Sequence, residues 1–229
     1  MRYSETAYAK VNLALHVRGR RNDGYHAIET LFAFVDEGDL LSVEEAAEDS
    51  LTIEGAFADG LVAGPDNLVL RALSLARELG AVVPPLAIGL EKNLPVAAGL
   101  GGGSADAGAM LRLIMREWGA GSSENNVIAA SVALGADVPA CVRSKTMFAR
   151  GIGNEMEPID LGLARQPILL VNPLLPCPTA PVFAAWDGVD RGALDTINWR
   201  KGRNDLTEAA LSLCPEIDDV MTVLRAQLP

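Results

Sequence analysis

Four glycines in five residues, from Gly99 to Gly103, are the feature that most limits how this chain can fold. Apolar residues alternate over positions 86–90, which predicts a strand before the glycines, and the residues after them have the apolar spacing of a helix. Glycine has no Cβ, so its backbone N–H groups can approach a ligand closely, and the N-terminus of a helix attracts anions. The sequence therefore predicts a strand, a glycine turn and a helix that together bind phosphate groups.

The predicted nucleotide-binding residues run without interruption through this turn. They are Pro95, Val96, Ala97, Ala98, Gly99, Leu100, Gly101, Gly102, Gly103, Ser104 and Ala105. Ser104 has two interpretations, as the cap of the helix or as a hydroxyl donor to a phosphate. A flexible turn without function is the weaker alternative, because so many glycines cost conformational entropy without contributing packing.

Two better-known phosphate loops do not fit the glycine turn. A Walker A loop requires a lysine that this segment lacks, and the dinucleotide-binding fingerprint requires a third glycine where Ser104 or Asp106 stands. A P-loop enzyme and a nicotinamide dehydrogenase are therefore both disfavoured.

Alternating apolar residues, turn residues and helix signals predict the other elements. Beyond the glycine turn, we expect a hairpin over 6–17 and 25–35, short strands at 40–44 and 51–53, a helix over 67–79, a helix over 125–134, strands at 146–150 and 168–172, a helix opened by Asn204 and a last helix from Pro215. Asp137 is expected in a loop after the helix that ends at Gly135, with Pro139 keeping Val138 out of helical geometry.

Composition excludes several classes of protein. A formal net charge of −11 argues against a nucleic-acid partner. The three cysteines are widely spaced, which indicates neither a disulfide framework nor a metal site. The sequence shows neither a signal peptide nor an apolar run long enough to span a membrane, so a cytoplasmic protein without a membrane partner is expected. The oligomeric state stays open.

Five motifs resemble those of the GHMP kinases, a family of small-molecule kinases, and the likeness spans nearly the whole chain. The motifs are Ala9-Lys10-Val11-Asn12-Leu13, Asp23-Gly24-Tyr25-His26, the stretch 95–106, Gly135-Ala136-Asp137-Val138-Pro139 and Asn204-Asp205-Leu206. The resemblance implies an α+β fold. Its N-terminal domain, residues 1–155, would bind the nucleotide and resemble ribosomal protein S5 domain 2, and a smaller α+β domain, residues 156–229, would lie on the substrate side.

The resemblance also implies an activity and roles for individual residues. ATP, carried as its magnesium complex, would phosphorylate a hydroxyl of a small molecule that bears a cytidine diphosphate group. Asp137 would accept the proton of the hydroxyl, and Lys10 would orient the carboxylate and stabilise the transferring charge. The substrate-binding residues would be Asn12, Tyr25, His26, Thr179 and Phe183, with two aromatic rings stacking on the cytosine. No residue is singled out as a ligand of the metal.

Each of these side chains also has an ordinary interpretation. From spacing alone, Lys10 is equally well a solvated strand residue, Asp137 a loop acid, and Phe183 a core residue. Asn12 is equally well a buried amide bonded to backbone. Lys92 and Asn67 are open between contact with the adenine nucleotide and the roles of a surface lysine and a helix cap.

The sequence departs from the family at its end. Family members continue with a third glycine-rich segment and closing strands, whereas this sequence stops at Leu228-Pro229, so the second domain is expected to be incomplete. Three other functions stay open: a homoserine or mevalonate type of kinase, a nucleotide-binding relative without activity, and a decarboxylase that phosphorylates its substrate first.

Overall fold

Two long strands begin the chain in the computed structural model, which describes residues 1–227. Strand β1 (Arg2–Arg20) and strand β2 (His26–Glu45) pair with each other. In the turn between them, the backbone N–H of Arg21 donates to the carbonyl of Tyr25 at 2.8 Å, and Gly24 has a φ of +86°. The predicted hairpin is confirmed. The strand expected separately at 40–44 is the second half of β2.

The chain folds into two compact units. Unit 1 consists of residues 1–10, 34–95 and 100–145, and unit 2 consists of residues 11–33, 96–99 and the chain from 146 onwards. Both long strands contribute to each unit, so neither unit is one continuous stretch of sequence. The predicted division into residues 1–155 and 156–229 stays a prediction, and residues 228–229 lie outside the described part.

Unit 1 contains four helices and a small mixed sheet. Strand β4 (Leu86–Glu91) pairs antiparallel with residues 40–45 of β2 and parallel with strand β3 (Ser50–Glu54). The helices are α1 (Leu68–Glu78), α2 (Gly102–Glu117), α3 (Glu124–Ser131) and α4 (Val138–Arg143). Asn67 caps α1 by accepting a hydrogen bond from the N–H of Val69 at 3.0 Å, which confirms the helix-cap interpretation.

Unit 2 contains the remaining strands and helices. Residues 30–32 of β2 pair antiparallel with strand β5 (Met147–Arg150), which pairs with strand β6 (Glu155–Pro158). Helices α5 (Thr179–Ala184), α6 (Thr207–Leu213) and α7 (Glu216–Gln227) follow. One buried cluster of this unit consists of Leu15, Val17, Ile28, Val182, Trp186, Leu206 and Ala209.

The strand expected at 168–172 is wrong. These residues form no regular secondary structure, and Leu169 is 77% exposed. An apolar run specifies a strand only where another strand takes its backbone hydrogen bonds, and no described strand pairs with this one. Strand β6 was missed for the opposite reason: its sequence, Glu-Met-Glu-Pro, has little strand propensity, and pairing with β5 holds it in place.

Cys141 and Cys214 are buried free thiols, and Cys177 is a partly exposed free thiol. Burial raises the pKa of the Cys141 thiol to about 12. None of the described helices combines the length and the apolar character that crossing a membrane requires.

Candidate active site

The glycine turn joins the end of β4 to the start of α2, which confirms the predicted order of strand, turn and helix. Its backbone reaches the left-handed region at every second residue, with φ values of +55° at Ala97, +74° at Gly99 and +68° at Gly101. Glycine adopts this conformation without steric cost, which accounts for two of the four glycines. The turn is largely accessible to solvent.

Helix α2 begins with backbone N–H groups that no described side chain caps. Gly101 is the N-cap, and its carbonyl accepts the N–H of Ala105 at 2.7 Å. The N–H groups of the first helical residues, Gly102, Gly103 and Ser104, have no partner within the helix. The interpretation of Ser104 as the cap is therefore wrong, because the helix starts two residues earlier. A helix end with free N–H groups and a positive dipole suits an anion.

Lys10 and Asp137 meet beside this helix end. The ammonium Nζ of Lys10 lies 3.5 Å from Oδ2 of Asp137. The lysine side chain is only 3% exposed, whereas that of Asp137 is 42% exposed. A Cβ on Gly101 would lie 3.3 Å from Cε of Lys10, and the N–H of Lys10 donates to the carbonyl of Leu100 at 3.0 Å. The carboxylate of Asp137 is thus open to a ligand, and the buried ammonium group of Lys10 lies next to it. The interpretation of Lys10 as a solvated strand residue is wrong.

Asp137 is held by the start of a helix that the sequence did not predict. It is the N-cap residue of α4, whose first helical residue is Val138. The expectation that Pro139 keeps Val138 out of a helix is wrong, because proline is well tolerated in the first turn, where its missing N–H has no partner to lose. A helix N-terminus also favours a carboxylate electrostatically.

Helices α2 and α4 touch without an intervening side chain at Gly108. A Cβ at this position would lie 2.7 Å from the carbonyl carbon of Cys141 and 2.8 Å from its Cβ. Helix α4 starts at Asp137 and helix α2 starts at the glycine turn. The close contact at Gly108 therefore fixes the separation between the carboxylate of Asp137 and the start of α2.

A buried cluster of three charged side chains lies at the glycine turn. Lys92 forms ion pairs with Asp39 and, at 2.8 Å, with Asp106 of α2. The second oxygen of Asp39 accepts the N–H groups of Asn93 and Leu94 at 2.6 and 2.8 Å. A Cβ on Gly102 would lie 3.5 Å from Nζ of Lys92. The interpretation of Lys92 as a surface residue is wrong.

This cluster contains two carboxyl groups for one ammonium group. Burial raises the pKa of Asp106 most, Lys92 lowers it and the charge of Asp39 raises it, and together these effects bring the pKa to about 7. Oδ1 of Asp106 is buried and has no hydrogen-bond partner in the described part of the chain. Sequence reasoning missed the cluster, although a single acid inside the apolar run 105–111 was a signal, since a buried carboxyl group requires a partner.

Aromatic rings surround His26 in unit 2. The imidazole lies 5.2 Å from the ring of Phe183, centroid to centroid, with an interplanar angle of 38°. The ring of Trp186 lies 5.6 Å away at 84°. Trp186 and Arg20, which donates hydrogen bonds to this segment, were not predicted from the sequence.

The structure places the other predicted substrate-binding residues as follows. Tyr25 precedes His26 and is exposed, and Thr179 is the exposed first residue of α5. The side-chain amide of Asn12 donates to the hydroxyl of Thr30 at 2.7 Å, and that hydroxyl donates to the carbonyl of Ala14. The structure therefore brings Lys10 together with Asp137 and His26 with Phe183, while Asn12 also has a structural partner.

Two comparisons concern the fold that holds these side chains. The family model described as "GHMP kinases N terminal domain" matches residues 67–145, which include α1, β4, the glycine turn and α2 to α4. A solved structure of a D-glycero-D-manno-heptose 1-phosphate kinase from Bacteriodes thetaiotaomicron is similar in fold, with a TM-score of 0.53 at 13% identity over 70% of this chain and 60% of that one. The strand, glycine turn and helix thus lie within the part of the chain that matches the N-terminal domain of the GHMP kinases.

Proteins of much higher identity bear a more particular name. A 4-diphosphocytidyl-2-C-methyl-D-erythritol kinase from Novosphingobium aromaticivorans is 54% identical, covering 98% of this chain and 78% of the relative. One from Sphingopyxis alaskensis is 52% identical over 98% and 82%. A solved 4-(cytidine 5'-diphospho)-2C-methyl-D-erythritol kinase is 33% identical with a TM-score of 0.74, covering 98% and 83%. The chain belongs to the 4-diphosphocytidyl-2-C-methyl-D-erythritol kinase family of the GHMP kinases.

Proposed function

We propose that this protein uses ATP to phosphorylate the tertiary 2-hydroxyl of 4-diphosphocytidyl-2-C-methyl-D-erythritol, in the non-mevalonate pathway to isoprenoids. The observation that carries the proposal is the pairing of Lys10 with Asp137 beside the uncapped start of α2. Identity to named kinases of this family over nearly the whole chain supports the choice of substrate.

The free N–H groups at the start of α2 bind the phosphates of ATP. The turn from Pro95 to Ala105 surrounds the phosphates, and its glycines let the backbone approach them. ATP enters as its magnesium complex, and the metal neutralises phosphate charge. The described residues hold no group of three or more metal-ligating side chains. In sites of this kind Mg²⁺ is held by substrate phosphates, water and one or two protein oxygens.

Asp137 and Lys10 act on the acceptor alcohol. The hydroxyl oxygen forms a bond to the γ-phosphorus as the bond from that phosphorus to the bridging oxygen of ADP breaks, and the hydroxyl proton passes to the carboxylate of Asp137. Phosphoryl transfer requires mainly positioning and charge stabilisation. The 42% exposure of Asp137 leaves its carboxylate open to the hydroxyl, and the buried ammonium of Lys10 stabilises the charge.

Tyr25, His26 and Phe183 recognise the cytosine base. Aromatic side chains stack on bases, and an imidazole forms hydrogen bonds with their polar edge. The contact between His26 and Phe183 supports this role, as does the exposure of Tyr25 beside them. Thr179 and Asn12 are proposed as further polar contacts with the substrate.

The decisive experiment is a coupled assay of ATP consumption with 4-diphosphocytidyl-2-C-methyl-D-erythritol as acceptor. Phosphorus NMR of the product should show a new phosphate monoester and an intact diphosphate. Homoserine and mevalonate serve as control acceptors and should give no turnover. ATP binding without turnover of any acceptor would indicate a non-catalytic relative, and release of carbon dioxide would indicate a decarboxylase. Either result would contradict the proposal.

A further inference from the structure

Arg112 lies in the second half of α2 and donates hydrogen bonds to two other elements of unit 1. On β1, its Nε donates to the carboxylate of Glu5 at 3.1 Å and its Nη2 donates to the carbonyl of Thr6 at 2.6 Å. At the end of α4, its Nη1 donates to the carbonyl of Cys141 and, at 2.7 Å, to the hydroxyl of Ser144. One guanidinium group thus connects β1, α2 and α4.

The guanidinium group is largely enclosed by protein. The side chains of Arg112 and Glu5 are only 16% and 13% exposed, and Cζ of Arg112 lies 5.7 Å from the centroid of the Tyr8 ring. Solvent and salt screen such a pair much less than an exposed one. A guanidinium group also presents its five N–H donors in a rigid fork, so it holds acceptors on different elements in fixed directions.

The two elements that Arg112 joins to α2 are those that carry Lys10 and Asp137. Lys10 lies on β1, four residues after Thr6, and Asp137 is the N-cap of α4. The N–H of Cys141 donates to the carbonyl of Asp137 at 3.1 Å. Cys141 is therefore bonded to Asp137 through its N–H and to Arg112 through its carbonyl. Since α4 has only six residues, a shift of its end displaces Asp137 as well.

Gly108 and Arg112 act on α4 from successive turns of α2. Residues four apart lie on the same face of a helix. The close contact at Gly108 limits how near α4 can approach, and the hydrogen bond to the carbonyl of Cys141 keeps α4 from moving away. This carbonyl belongs to the last turn of α4, where the helix supplies no donor and a basic side chain commonly does.

We propose that Arg112 is a positioning residue for phosphoryl transfer, which holds the strand of Lys10 and the helix of Asp137 at the separation that the reaction requires. The inference rests on the proposed function, because it presupposes that this pair acts on the acceptor alcohol. Arg112 lies ten residues after Gly102, the first residue of α2, so its loss should leave the binding of ATP phosphates at that helix end intact. Displacing a reacting group by about 1 Å can cost about 100-fold in rate.

The test measures the single-turnover rate of phosphoryl transfer to 4-diphosphocytidyl-2-C-methyl-D-erythritol by rapid quench, which separates the chemical step from product release. Arg112→Gln should lower this rate about 10- to 100-fold. Its affinity for ATP, measured by calorimetry, should be unchanged. Arg112→Lys keeps the charge but lacks the fork of donors, so it should lose nearly as much.

Arg116→Gln is the matched control on the next turn of α2. The described hydrogen bonds of the Arg116 side chain go to Glu5 and Ser4 on β1 and to its neighbour Glu117. Within residues 1–227, none of them reaches α4. Arg116→Gln should therefore keep the wild-type rate, even if it lowers the melting temperature as much as Arg112→Gln does.

A second readout distinguishes positioning from general stability. In an Asp137→Asn background no carboxylate remains to be positioned, so adding Arg112→Gln should cost much less than it costs alone. A purely structural role of Arg112 would cost the same factor in both backgrounds.

The results separate this inference from the proposed function. If Arg112→Gln folds and keeps the wild-type rate, or if it costs the same factor in the Asp137→Asn background, the inference fails and the proposed function stands. If Asp137→Asn itself keeps the wild-type rate, the catalytic role of Asp137 fails and the inference fails with it.

If Arg112→Gln does not fold, two milder variants decide. Glu5→Gln weakens the contact on β1, and Ser144→Ala removes a contact at the end of α4. Each should slow phosphoryl transfer while ATP affinity stays unchanged. Wild-type rates in both variants would overturn the inference.

Discussion

Replacing Asp106 by Asn tests whether the two buried carboxyl groups at the glycine turn are more than the single ammonium group of Lys92 can neutralise. Asp39 and Asp106 share the ammonium of Lys92, and burial raises the pKa of Asp106 to about 7. Asparagine has nearly the same shape as a protonated aspartate but cannot ionise. Asp106→Asn should therefore behave like the wild-type protein at low pH and differ from it increasingly as the pH rises.

The sign and size of the difference follow from the pKa. An unfolded aspartate titrates near 3.8. Between that pH and about 7 the folded protein holds a proton that the unfolded chain has released, so the free energy of unfolding falls as the pH rises. Raising a pKa from 3.8 to about 7 corresponds to about 4 kcal/mol. Asp106→Asn does not lose stability in this way. Its free energy of unfolding, relative to that of the wild-type protein, should therefore rise by about 4 kcal/mol between pH 3.8 and about 7.

Urea unfolding of both proteins at about pH 4, 6 and 8 measures this difference. The control is Asp195→Asn. Asp195 is exposed, and hydrogen bonds from Asn198 lower its pKa, so its titration is complete below the window. Parallel stability curves for Asp106→Asn and wild type would refute the reasoning, because they would mean that Asp106 is ionised throughout.

Four further changes test the site. Asp137→Asn should lower turnover about 100- to 10,000-fold while ATP still binds, and combining it with Lys10→Ala should cost much less than the product of the single losses, since the pair acts as a unit; near-native steady-state turnover would contradict both. Gly102→Val should weaken ATP binding measured by calorimetry far more than it lowers the melting temperature, because its side chain obstructs the free N–H groups; unchanged affinity in a folded protein would argue against the phosphate site. Phe183→Ala should weaken binding of cytidine diphosphate by about 1 to 3 kcal/mol and leave ATP binding intact; equal losses for both ligands would remove its role in stacking. Gly108→Val should lower turnover without touching a ligand, since there is no room for its side chain between α2 and α4; native kinetics would show that the helices tolerate separation.

Local signals accounted for much of the fold. The glycine turn, the helix cap at Asn67 and the stop at Gly135 act through their own backbone, so the sequence around them was sufficient. Strand β6 and the irregular segment 168–172 were missed because their conformation depends on whether a strand lies alongside. Pairing of this kind is a property of the tertiary structure, and periodicity does not report it.

The candidate site divides in the same way. Lys10 and Asp137 were proposed from their motifs, and their 3.5 Å separation agrees with joint action. Asp39 and Asp106 are 67 residues apart in the sequence and meet only because Lys92 is buried between them. The hydrogen bonds of Arg20 were not predictable from the sequence, since they go to carbonyls more than 160 residues away.

The three thiols have a practical consequence for spectroscopy. Alkylating reagents react with accessible thiolates, and Cys141 and Cys214 are buried with raised pKa values, whereas Cys177 is partly exposed. The N–H of Cys177 donates to the carbonyl of Ala97 in the glycine turn at 3.2 Å, and its side chain packs against the cluster that contains Trp186. A maleimide dye would therefore label the natural sequence at one defined place. If the proposed sites bind their ligands, its fluorescence would report binding at the turn and at the aromatic cluster without any engineered cysteine.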